Sequence, residues 1–325
     1  MILEETLELD LSSETYWIVR LNGGLGNQMH DFAAGWQNSV ELGAKLVLDL
    51  SGLDALVRRG IGTPRTFGLQ EFKLPSDRVS ILGNVKSPLL LRSLRRAGYS
   101  ALDSAVAKAA AALTNLSSPG TVREMKKIAF DSSFYDQRST GPGWTFVSGL
   151  HLSYKYFDKV RMDLQYIFQP STPLGSYLET VSKLLSQNGS TAVHVRRGDY
   201  VSSAATARKR VTSESYFRDG IEELRSLTPQ SPVVFFSDDI NWCREVFSDV
   251  KDAHFVEPNA GDPDAHHLFT MSRATNFVIS NSSFSWWAAY LSSSLNKRVI
   301  TPANWMVDGS YPMEDLVPQE WDFTG

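Results

Sequence analysis

The stretch that decides the fold covers residues 16–50 and reads YWIVRLNGGLGNQMHDFAAGWQNSVELGAKLVLDL. It opens with a short apolar run, typical of a buried strand, and passes directly into the glycine-rich residues 22–28. Apolar residues then recur at helical spacing, at Met29, Phe32, Ala33 and Trp36. A second apolar run follows at residues 46–50. This order predicts a strand, a helix and a second strand, which together indicate a parallel sheet.

The second half of the chain repeats this order more regularly. Strand-like runs alternate with helical patterns, the runs lying at residues 192–196, 233–237, 254–256, 276–280 and 298–301. A length of 325 residues favours two domains, because single cores usually stop growing below that size. Proline and glycine at residues 169–175 are typical of a linker. We therefore predict an α/β protein with domains at residues 1–170 and 171–325.

Charge and composition exclude several classes of protein. The net charge is −4, which argues against a non-specific nucleic-acid partner and requires any phosphate ligand to be held locally. The single cysteine excludes an intrachain disulfide. The acidic residues 1–14 do not form a signal peptide, and no apolar run approaches the ~18 residues of a transmembrane segment. These features favour a soluble, cytoplasmic chain; peripheral attachment to a membrane and a trimmed membrane-anchored Golgi-type enzyme are the alternatives.

The first candidate site is the run His-Val-Arg-Arg-Gly-Asp-Tyr at residues 194–200. It ends an apolar strand, and open α/β sheets bind ligands at the carboxyl ends of their strands. His194 and Arg196 share one face of the strand, whereas Arg197 faces the other way. An arginine fork suits a pair of phosphates because its planar donors bind bidentately. The alternative is a structural ion pair between Arg197 and Asp199.

Two further strand ends carry polar residues. Residues 279–287 pass from a strand through small polar residues into a helix, whose first-turn N–H groups could bind an anion. The alternative there is an ordinary capped helix with core tryptophans. Asp238 and Asp239 end another apolar strand, where one carboxylate could accept hydrogen bonds from guanine and the other could cap the next helix. Capping by both is the alternative.

Two other patterns favour less specific interpretations. The glycines of residues 23–26 with Asp49 downstream suggest a dinucleotide site, but Met29 stands where the third glycine should be. Residues 262–267, Asp-Pro-Asp-Ala-His-His, could hold a metal. Because a helical pattern follows at once, an N-cap role for Asp262 or Asp264 is the better explanation. We predict no metal requirement.

Four blocks of sequence occur in the order of a known family. They are residues 23–29, 194–200, 237–247 and 279–291. With them the chain resembles the alpha-1,2-fucosyltransferase family. The resemblance implies a GT-B type fold, in which two Rossmann-like domains turn parallel sheets towards an interdomain cleft. The N-terminal domain would then bind a galactose-containing glycan acceptor and the C-terminal domain the donor, GDP-fucose.

The resemblance also implies roles for individual residues. Arg196 would hold the beta-phosphate of GDP-fucose, and His194 and Asp238 would contact guanine. The start of the last block would contact the phosphates, through Ser282, Ser283 and Phe284. The acceptor side of the cleft would be formed by Gly24, Gly26, Asn27, Gln28, His30 and Asp31. His30 and Asp31 depart from the Phe and Gln that are common in the family, which bears on the acceptor.

The implied reaction is metal-independent transfer of L-fucose, with inversion, to a galactose hydroxyl in alpha-1,2 linkage. Arg196 would stabilise the departing GDP. Asp199, Asp31 and His30 are candidates for the base, and a dissociative route without a dedicated base is equally open. The alternatives are a fucosyltransferase of another linkage and a non-catalytic nucleotide- or glycan-binding module.

Overall fold

The computed structural model describes eight stretches of the chain, namely residues 13–53, 65–82, 130–131, 142–149, 151–198, 212–258, 261–306 and 311–324. It also gives the backbone of three short strands outside them, Leu7–Glu8, Val85–Lys86 and Gly120–Glu124. Asp199 and Tyr200 lie outside the described residues. The chain divides into a first unit, Met1–Gln70 with Leu74–Ile167, and a second unit, Glu71–Lys73 with Phe168–Gly325.

The first unit is built on a parallel sheet of five strands. In chain order, the strands described in this unit are β1 (Leu7–Glu8), β2 (Thr15–Arg20), β3 (Lys45–Asp49), β4 (Val79–Ile81), β5 (Val85–Lys86), β6 (Gly120–Glu124) and β7 (Gly143–Ser148). Strands β1 and β5 form a separate parallel pair, and the other five form the sheet. The sheet order is β4-β3-β2-β7-β6. Central β2 is buried from Tyr16 onwards, as expected of a strand covered on both faces. Among its described residues, this unit has the helices α1 (Leu25–Leu42) and α2 (Arg161–Ile167), with 3-10 turns at Leu50–Gly52, Gly68–Glu71, Tyr154–Tyr156 and Asp158–Val160.

Helix α1 begins earlier than the hydrophobic spacing predicts. The periodic residues start at Met29, but the helix starts at Leu25 with Gly24 at its N-cap. The helix packs closely on the sheet through Gly35, where an added Cβ would lie 2.7 Å from a methyl of Val19. It ends at Gly43, which has a φ of 63° and donates to the carbonyls of Ser39 and Val40. Residues 25–28 therefore form the first helical turn rather than a loop.

The second unit contains a six-stranded parallel sheet. Its strands are β8 (Thr191–Val195), β9 (Val233–Ser237), β10 (Ala253–Phe255), β11 (Asn276–Ile279), β12 (Arg298–Pro302) and β13 (Asp322–Thr324). The helices in the described part of this unit are α3 (Ser176–Leu185), α4 (Glu214–Leu227), α5 (Ile240–Val246), α6 (Asp264–Met271), α7 (Ser283–Leu291) and α8 (Met313–Leu316). The order β10-β9-β8-β11-β12-β13 is that of a doubly wound sheet: successive strands are added in one direction from β8 to β10 and in the other direction from β11 to β13. The predicted α/β class with two parallel sheets is confirmed.

Aromatic side chains fill the core of the second unit. Phe235 stacks on Phe247 at 4.9 Å and on Phe255 at 5.0 Å between ring centroids. Burial raises the pKa of the Cys243 thiol to about 11, so this cysteine is a protonated core residue. Phe72 contacts Phe168 at 5.2 Å and bridges to Pro170, which explains why residues 71–73 belong to this unit. Within the described part of the chain, no helix is long and apolar enough to cross a bilayer.

Candidate functional site

Three of the predicted blocks meet at the carboxyl edge of the second sheet. In the β-ladder, His194 at the end of β8 pairs with Phe236 of β9 and with Ile279 of β11. The segments that follow these strands therefore start side by side. Because β8 and β11 flank the switch point, this edge is where a doubly wound sheet binds its ligand.

His194 joins the two strands at the switch point. Its Nδ1 lies 3.0 Å from the Ser280 Oγ, and its ring lies 5.5 Å from that of Phe284. Burial, and next the positive charge of Arg196, lower the pKa of His194 to about 3. The imidazole is therefore neutral at physiological pH, so it can form hydrogen bonds but does not act as a cation.

Arg196 and Asp238 form an ion pair across the ends of β8 and β9. Nη1 of Arg196 lies 3.1 Å from Oδ2 of Asp238, and both side chains are partly exposed. The Asp238 carboxylate also accepts hydrogen bonds from the backbone N–H of Arg197 at 2.9 Å and of Gly198 at 3.1 Å. Asp238 thus contacts the segment after β8 at three consecutive residues.

Arg197 points away from this pair, as the alternation along the strand predicts. Its guanidinium lies over the Trp242 ring, 3.9 Å from the centroid, and its Nε donates to Asp239 at 3.3 Å. Asp239 is the N-cap of α5 and accepts from the Trp242 N–H at 3.3 Å, so the predicted capping role is confirmed. Arg197 therefore anchors the first turn of α5.

The segment after β11 leads into α7 without a side-chain cap. Ser282 occupies the N-cap position, but its side chain makes no capping hydrogen bond. The first-turn N–H groups of a helix have no intrahelical acceptor, so the start of α7 is suited to an anion. Two buried tryptophans anchor the helix in the core. They are Trp286, whose Nε1 donates to the Leu316 carbonyl at 2.9 Å, and Trp287.

The glycine-rich segment of the first unit is held by Gln28. Its Nε2 donates to the carbonyls of Gly23 at 3.1 Å and Thr66 at 2.8 Å, and its Oε1 accepts from the Gly68 N–H at 3.0 Å. Gly23 has a φ of 68°, a conformation that favours glycine. Asn27 is partly exposed beside the buried Gly26, and Gly24 precedes the helix.

His30 and Asp31 are both buried. Nδ1 of His30 contacts the Gly26 carbonyl at 2.8 Å, and burial lowers the pKa of His30 to about 3. Burial raises the pKa of Asp31, while hydrogen bonds from His151 and Asn22 lower it. His151 was not among the predicted site residues, because it follows β7 without any local motif. Its position after a strand of a parallel sheet was the one available signal.

The structure also bears on the dinucleotide-like pattern with Asp49 and on the possible metal site at residues 262–267. Asp49 is buried, pairs with Arg20 at 3.0 Å and caps the turn at Leu50–Gly52, so its carboxylate serves the fold. The N-cap of α6 is Pro263, without a side-chain capping bond, so the capping predicted for Asp262 or Asp264 is wrong. Pro263 is compatible with this position because its φ of −61° is one that the proline ring allows, and its carbonyl accepts from the His266 N–H at 2.9 Å. The described stretches hold no group of three or more His, Cys, Asp or Glu arranged for a metal.

Comparison with known proteins matches this chain to one family. A model described as Glycosyl transferase family 11 matches residues 128–324, which is more than half of the chain. The chain is similar to an Escherichia coli protein named alpha-1,2-colitosyltransferase, with 29% identity over 94% of this chain and 97% of the relative. It is also similar to a Bos taurus galactoside 2-alpha-L-fucosyltransferase, SEC1, with 26% identity over 50% of this chain and 46% of the relative.

A solved structure has the same fold. The crystal structure of NodZ alpha-1,6-fucosyltransferase soaked with GDP-fucose aligns with a TM-score of 0.51 and 16% identity, over 86% of this chain and 93% of that chain. The predicted GT-B type fold is confirmed by this likeness.

Proposed function

The chain belongs to glycosyl transferase family 11, and from this premise we propose that it transfers L-fucose from GDP-beta-L-fucose to a galactose hydroxyl of a glycan, in alpha-1,2 linkage. The linkage is supported by the names of the colitosyltransferase and SEC1 relatives. The donor is supported by the NodZ structure, which was soaked with GDP-fucose.

The observation that carries the proposal is the contact between His194 and Ser280 at the switch point of the second sheet. This contact joins the segment that carries Arg196 to the segment that starts α7. Arg196 is proposed to bind the beta-phosphate, and the phosphates are proposed to lie against Ser282 and Ser283. The neutral His194 and its neighbour Phe284 are proposed to line the nucleotide site. A guanidinium and a helix start together supply the positive charge that two phosphates require.

The proposed reaction is a single displacement at the anomeric carbon. The acceptor oxygen attacks C1 of fucose on the face opposite GDP, and the bond from C1 to the beta-phosphate oxygen breaks. The bonding pair leaves with GDP, the acceptor proton passes to a base, and the beta linkage becomes alpha. Arg196 stabilises the charge that grows on GDP, which is expected to contribute on the order of 10²-fold to the rate. Transfer is expected to continue in EDTA, since these groups provide the charge that a metal would supply.

Asp199 is the base proposed for the acceptor hydroxyl. His30 and Asp31, the other candidates, are 1% and 0% exposed and already bonded within the first unit. The domain at residues 1–170 is proposed to bind the acceptor, through Gly24, Gly26, Asn27 and Gln28. The domain at residues 171–325 is proposed to bind the donor.

The test combines one active-site variant with a matched control. Wild type, Arg196→Ala and Arg197→Ala are incubated with GDP-fucose, EDTA and a panel of galactose-terminated acceptors, and GDP release and product masses are measured. We expect product from wild type and Arg197→Ala and almost none from Arg196→Ala, with alpha-1,2 linkage on analysis of the product. A different linkage would refute the linkage assignment alone. GDP binding without release or product, for every acceptor, would favour a non-catalytic module.

A second donor sugar is favoured by one observation. The colitosyltransferase relative aligns over 94% of this chain, so nucleotide-activated colitose is the alternative donor. An incubation with equal amounts of both activated sugars, followed by mass spectrometry of the products, distinguishes the two donors. A predominance of the colitosyl product would correct the donor and leave the reaction class unchanged.

A further inference from the structure

The hydroxyl of Tyr216 bonds the backbone where β11 leads towards α7, and we propose that Tyr216 is a positioning residue for the phosphate site at the start of that helix. This inference rests on the proposed function, in which the phosphates of GDP-fucose lie against Ser282 and Ser283. Tyr216 stands in the first turn of α4 and is buried, so it acts through the backbone and not by touching the nucleotide.

The ladder between β11 and β12 cannot satisfy the last carbonyl of β11. Alternate residues of a parallel strand bond to opposite neighbours, and the N–H groups of Asn276 and Ser280 both donate towards β8. Ile279 therefore faces β12, and the register of the two strands pairs its carbonyl with the nitrogen of Pro302. Proline has no N–H, so the ladder supplies no donor to this carbonyl.

Tyr216 supplies the missing donor. Its hydroxyl oxygen lies 2.7 Å from the Ile279 carbonyl and 3.0 Å from the Ile300 carbonyl. Burial raises the pKa of Tyr216 well above its usual value, so the hydroxyl keeps the proton that it donates. A side chain thus joins β11 and β12 at the point where their backbone ladder stops.

A short series of hydrogen bonds connects Ile279 with the start of α7. The next residue, Ser280, donates its N–H to the His194 carbonyl at 3.1 Å. The Ser280 carbonyl accepts from the N–H of Ser282, the N-cap of α7, at 2.7 Å. Because every link is backbone, a displaced Ile279 carbonyl would displace the first-turn N–H groups of α7. Tyr216 therefore holds these groups where the phosphates need them.

The other end of α4 provides a matched control. The hydroxyl of Thr228, the C-cap of α4, also bonds two backbone carbonyls, those of Gly189 at 3.2 Å and Leu224 at 3.3 Å. Gly189 precedes β8, so this contact lies at the edge of the sheet opposite to the phosphate site. Thr228→Val removes a hydroxyl of the same helix and leaves the end of β11 unchanged.

The experiment titrates GDP into the full chain by calorimetry and measures steady-state kinetics with GDP-fucose and a galactose-terminated acceptor. The proteins are wild type, Tyr216→Phe, Thr228→Val, Pro302→Ala and the double variant Tyr216→Phe with Pro302→Ala. We expect Tyr216→Phe to weaken GDP binding by roughly tenfold, since small displacements of binding groups are costly. Thr228→Val is expected to stay within about twofold of wild type.

The double variant tests the route through the Ile279 carbonyl. Pro302→Ala introduces an N–H that can bond this carbonyl in place of the phenol. We therefore expect the double variant to bind GDP within about threefold of Pro302→Ala alone. A purely local effect of the missing hydroxyl would not be rescued in this way.

The kinetic signature separates positioning from folding. Tyr216→Phe is expected to raise the donor KM and to lower kcat, because the N–H groups of α7 bind the phosphates and also stabilise the departing GDP. A merely structural role would unfold a fraction of the molecules. That fraction would lower the calorimetric stoichiometry and the apparent kcat, but it would leave the Kd for GDP and the donor KM unchanged.

Three results would overturn the inference. A folded Tyr216→Phe protein with the Kd and donor KM of wild type would show that the hydroxyl does not serve the phosphate site. A loss shared equally by Thr228→Val would assign the effect to α4 as a whole. A double variant that binds GDP tenfold or more weakly than Pro302→Ala would exclude the route through Ile279, and this comparison decides the matter if Tyr216→Phe alone does not fold. A folded wild type that binds neither GDP nor GDP-fucose would instead overturn the proposed function, and this inference with it.

Discussion

Asp31 and His151 form a buried pair, with Oδ1 of the carboxylate 2.9 Å from the imidazole Nδ1. Asp31 also accepts from the backbone N–H of Asn22 at 3.0 Å, and Asn22 donates to the Gly149 carbonyl at 3.1 Å. The segments after β2 and β7, which are adjacent in the first sheet, are therefore tied together at their carboxyl ends. A buried carboxylate with several donors is stabilising only while all its partners are present.

Replacing Asp31 tests this network. Asp31→Ala leaves buried donors of Asn22 and His151 without their acceptor, and we expect a loss of about 3 kcal/mol in the free energy of unfolding. Asp31→Asn keeps one acceptor oxygen and is expected to lose less. Denaturant unfolding measures both. Glu41→Ala, which removes the exposed pair with Lys159, is the control and should cost less than about 1 kcal/mol. Equal losses for Asp31→Ala and Glu41→Ala would contradict this expectation.

The neutral His194 makes stability depend on pH. Its folded-state pKa, about 3, lies below the ordinary 6.5, so the unfolded chain takes up the proton first. The contribution of neutral His194 is therefore lost as the pH falls from 6.5 towards 3. Between pH 7 and pH 5 this loss is expected to be about 2 kcal/mol. His194→Gln should lose that much less than wild type over this interval.

Two features of the chain bear on that measurement. His30, with a pKa of about 3 for the same reason of burial, contributes a loss of the same sign, so the variant keeps part of the dependence. Asp31 acts in the opposite sense, since a raised folded-state pKa gives stability that is lost as the pH rises through it. His254→Gln, on the exposed position of β10, is the control. If the free energy of unfolding of His194→Gln changed with pH in the same way as that of wild type, a lowered pKa of His194 would be disproved.

The contact of Arg197 with Trp242 predicts an effect on stability alone. A guanidinium over an indole at 3.9 Å is expected to contribute about 1 kcal/mol, which Arg197→Ala would remove. Because the side chain points to α5 and not towards Arg196, GDP affinity is expected to stay within about twofold. Thermal unfolding and calorimetry test the two halves of this prediction. A large loss of GDP affinity would instead give Arg197 a place in the nucleotide site.

The convergence of polar residues at one sheet edge was predictable from the sequence. Each polar block of the second unit stands directly after an apolar run, and in a parallel sheet the carboxyl ends of strands share one edge. In the observed register His194 pairs with Phe236 and Ile279, so the ends of these three strands lie side by side, as that rule predicts. Capping of α5 by Asp239 was also predictable, because a cap depends on residues within one helical turn.

The partners of side chains were not predictable. His151 contacts Asp31 although 120 residues separate them, and Phe72 contacts Phe168 of the same unit although the two lie far apart in the sequence. No local pattern reports either contact. Asp238 likewise accepts from the backbone N–H groups of Arg197 and Gly198, about 40 residues earlier in the chain, and no local pattern reports that contact either. The start of α1 was missed because glycine is a poor helix former, whereas Gln28 fixes that turn through contacts with residues 66–68.

Gln28 gives the sharpest test of the acceptor side. Its amide bonds three backbone groups, so Gln28→Ala is expected to release residues 23–28 from residues 66–68. If this segment orients the acceptor, the acceptor KM should rise by roughly tenfold while GDP affinity is unchanged. Steady-state kinetics with a fixed acceptor, together with calorimetry for GDP, measures both quantities.

Gln37 supplies the matched control for that variant. It is a buried glutamine of the same helix, and its Oε1 accepts from the Lys159 N–H at 3.2 Å. Gln37→Ala is expected to lose stability, because it removes this partly buried hydrogen bond, but to keep the acceptor KM of wild type. Equal KM changes in the two variants would assign the effect to general loosening of α1. An unchanged acceptor KM in Gln28→Ala would mean that the glycine-rich segment does not take part in acceptor recognition. The acceptor-binding surface would then lie in other parts of the first unit.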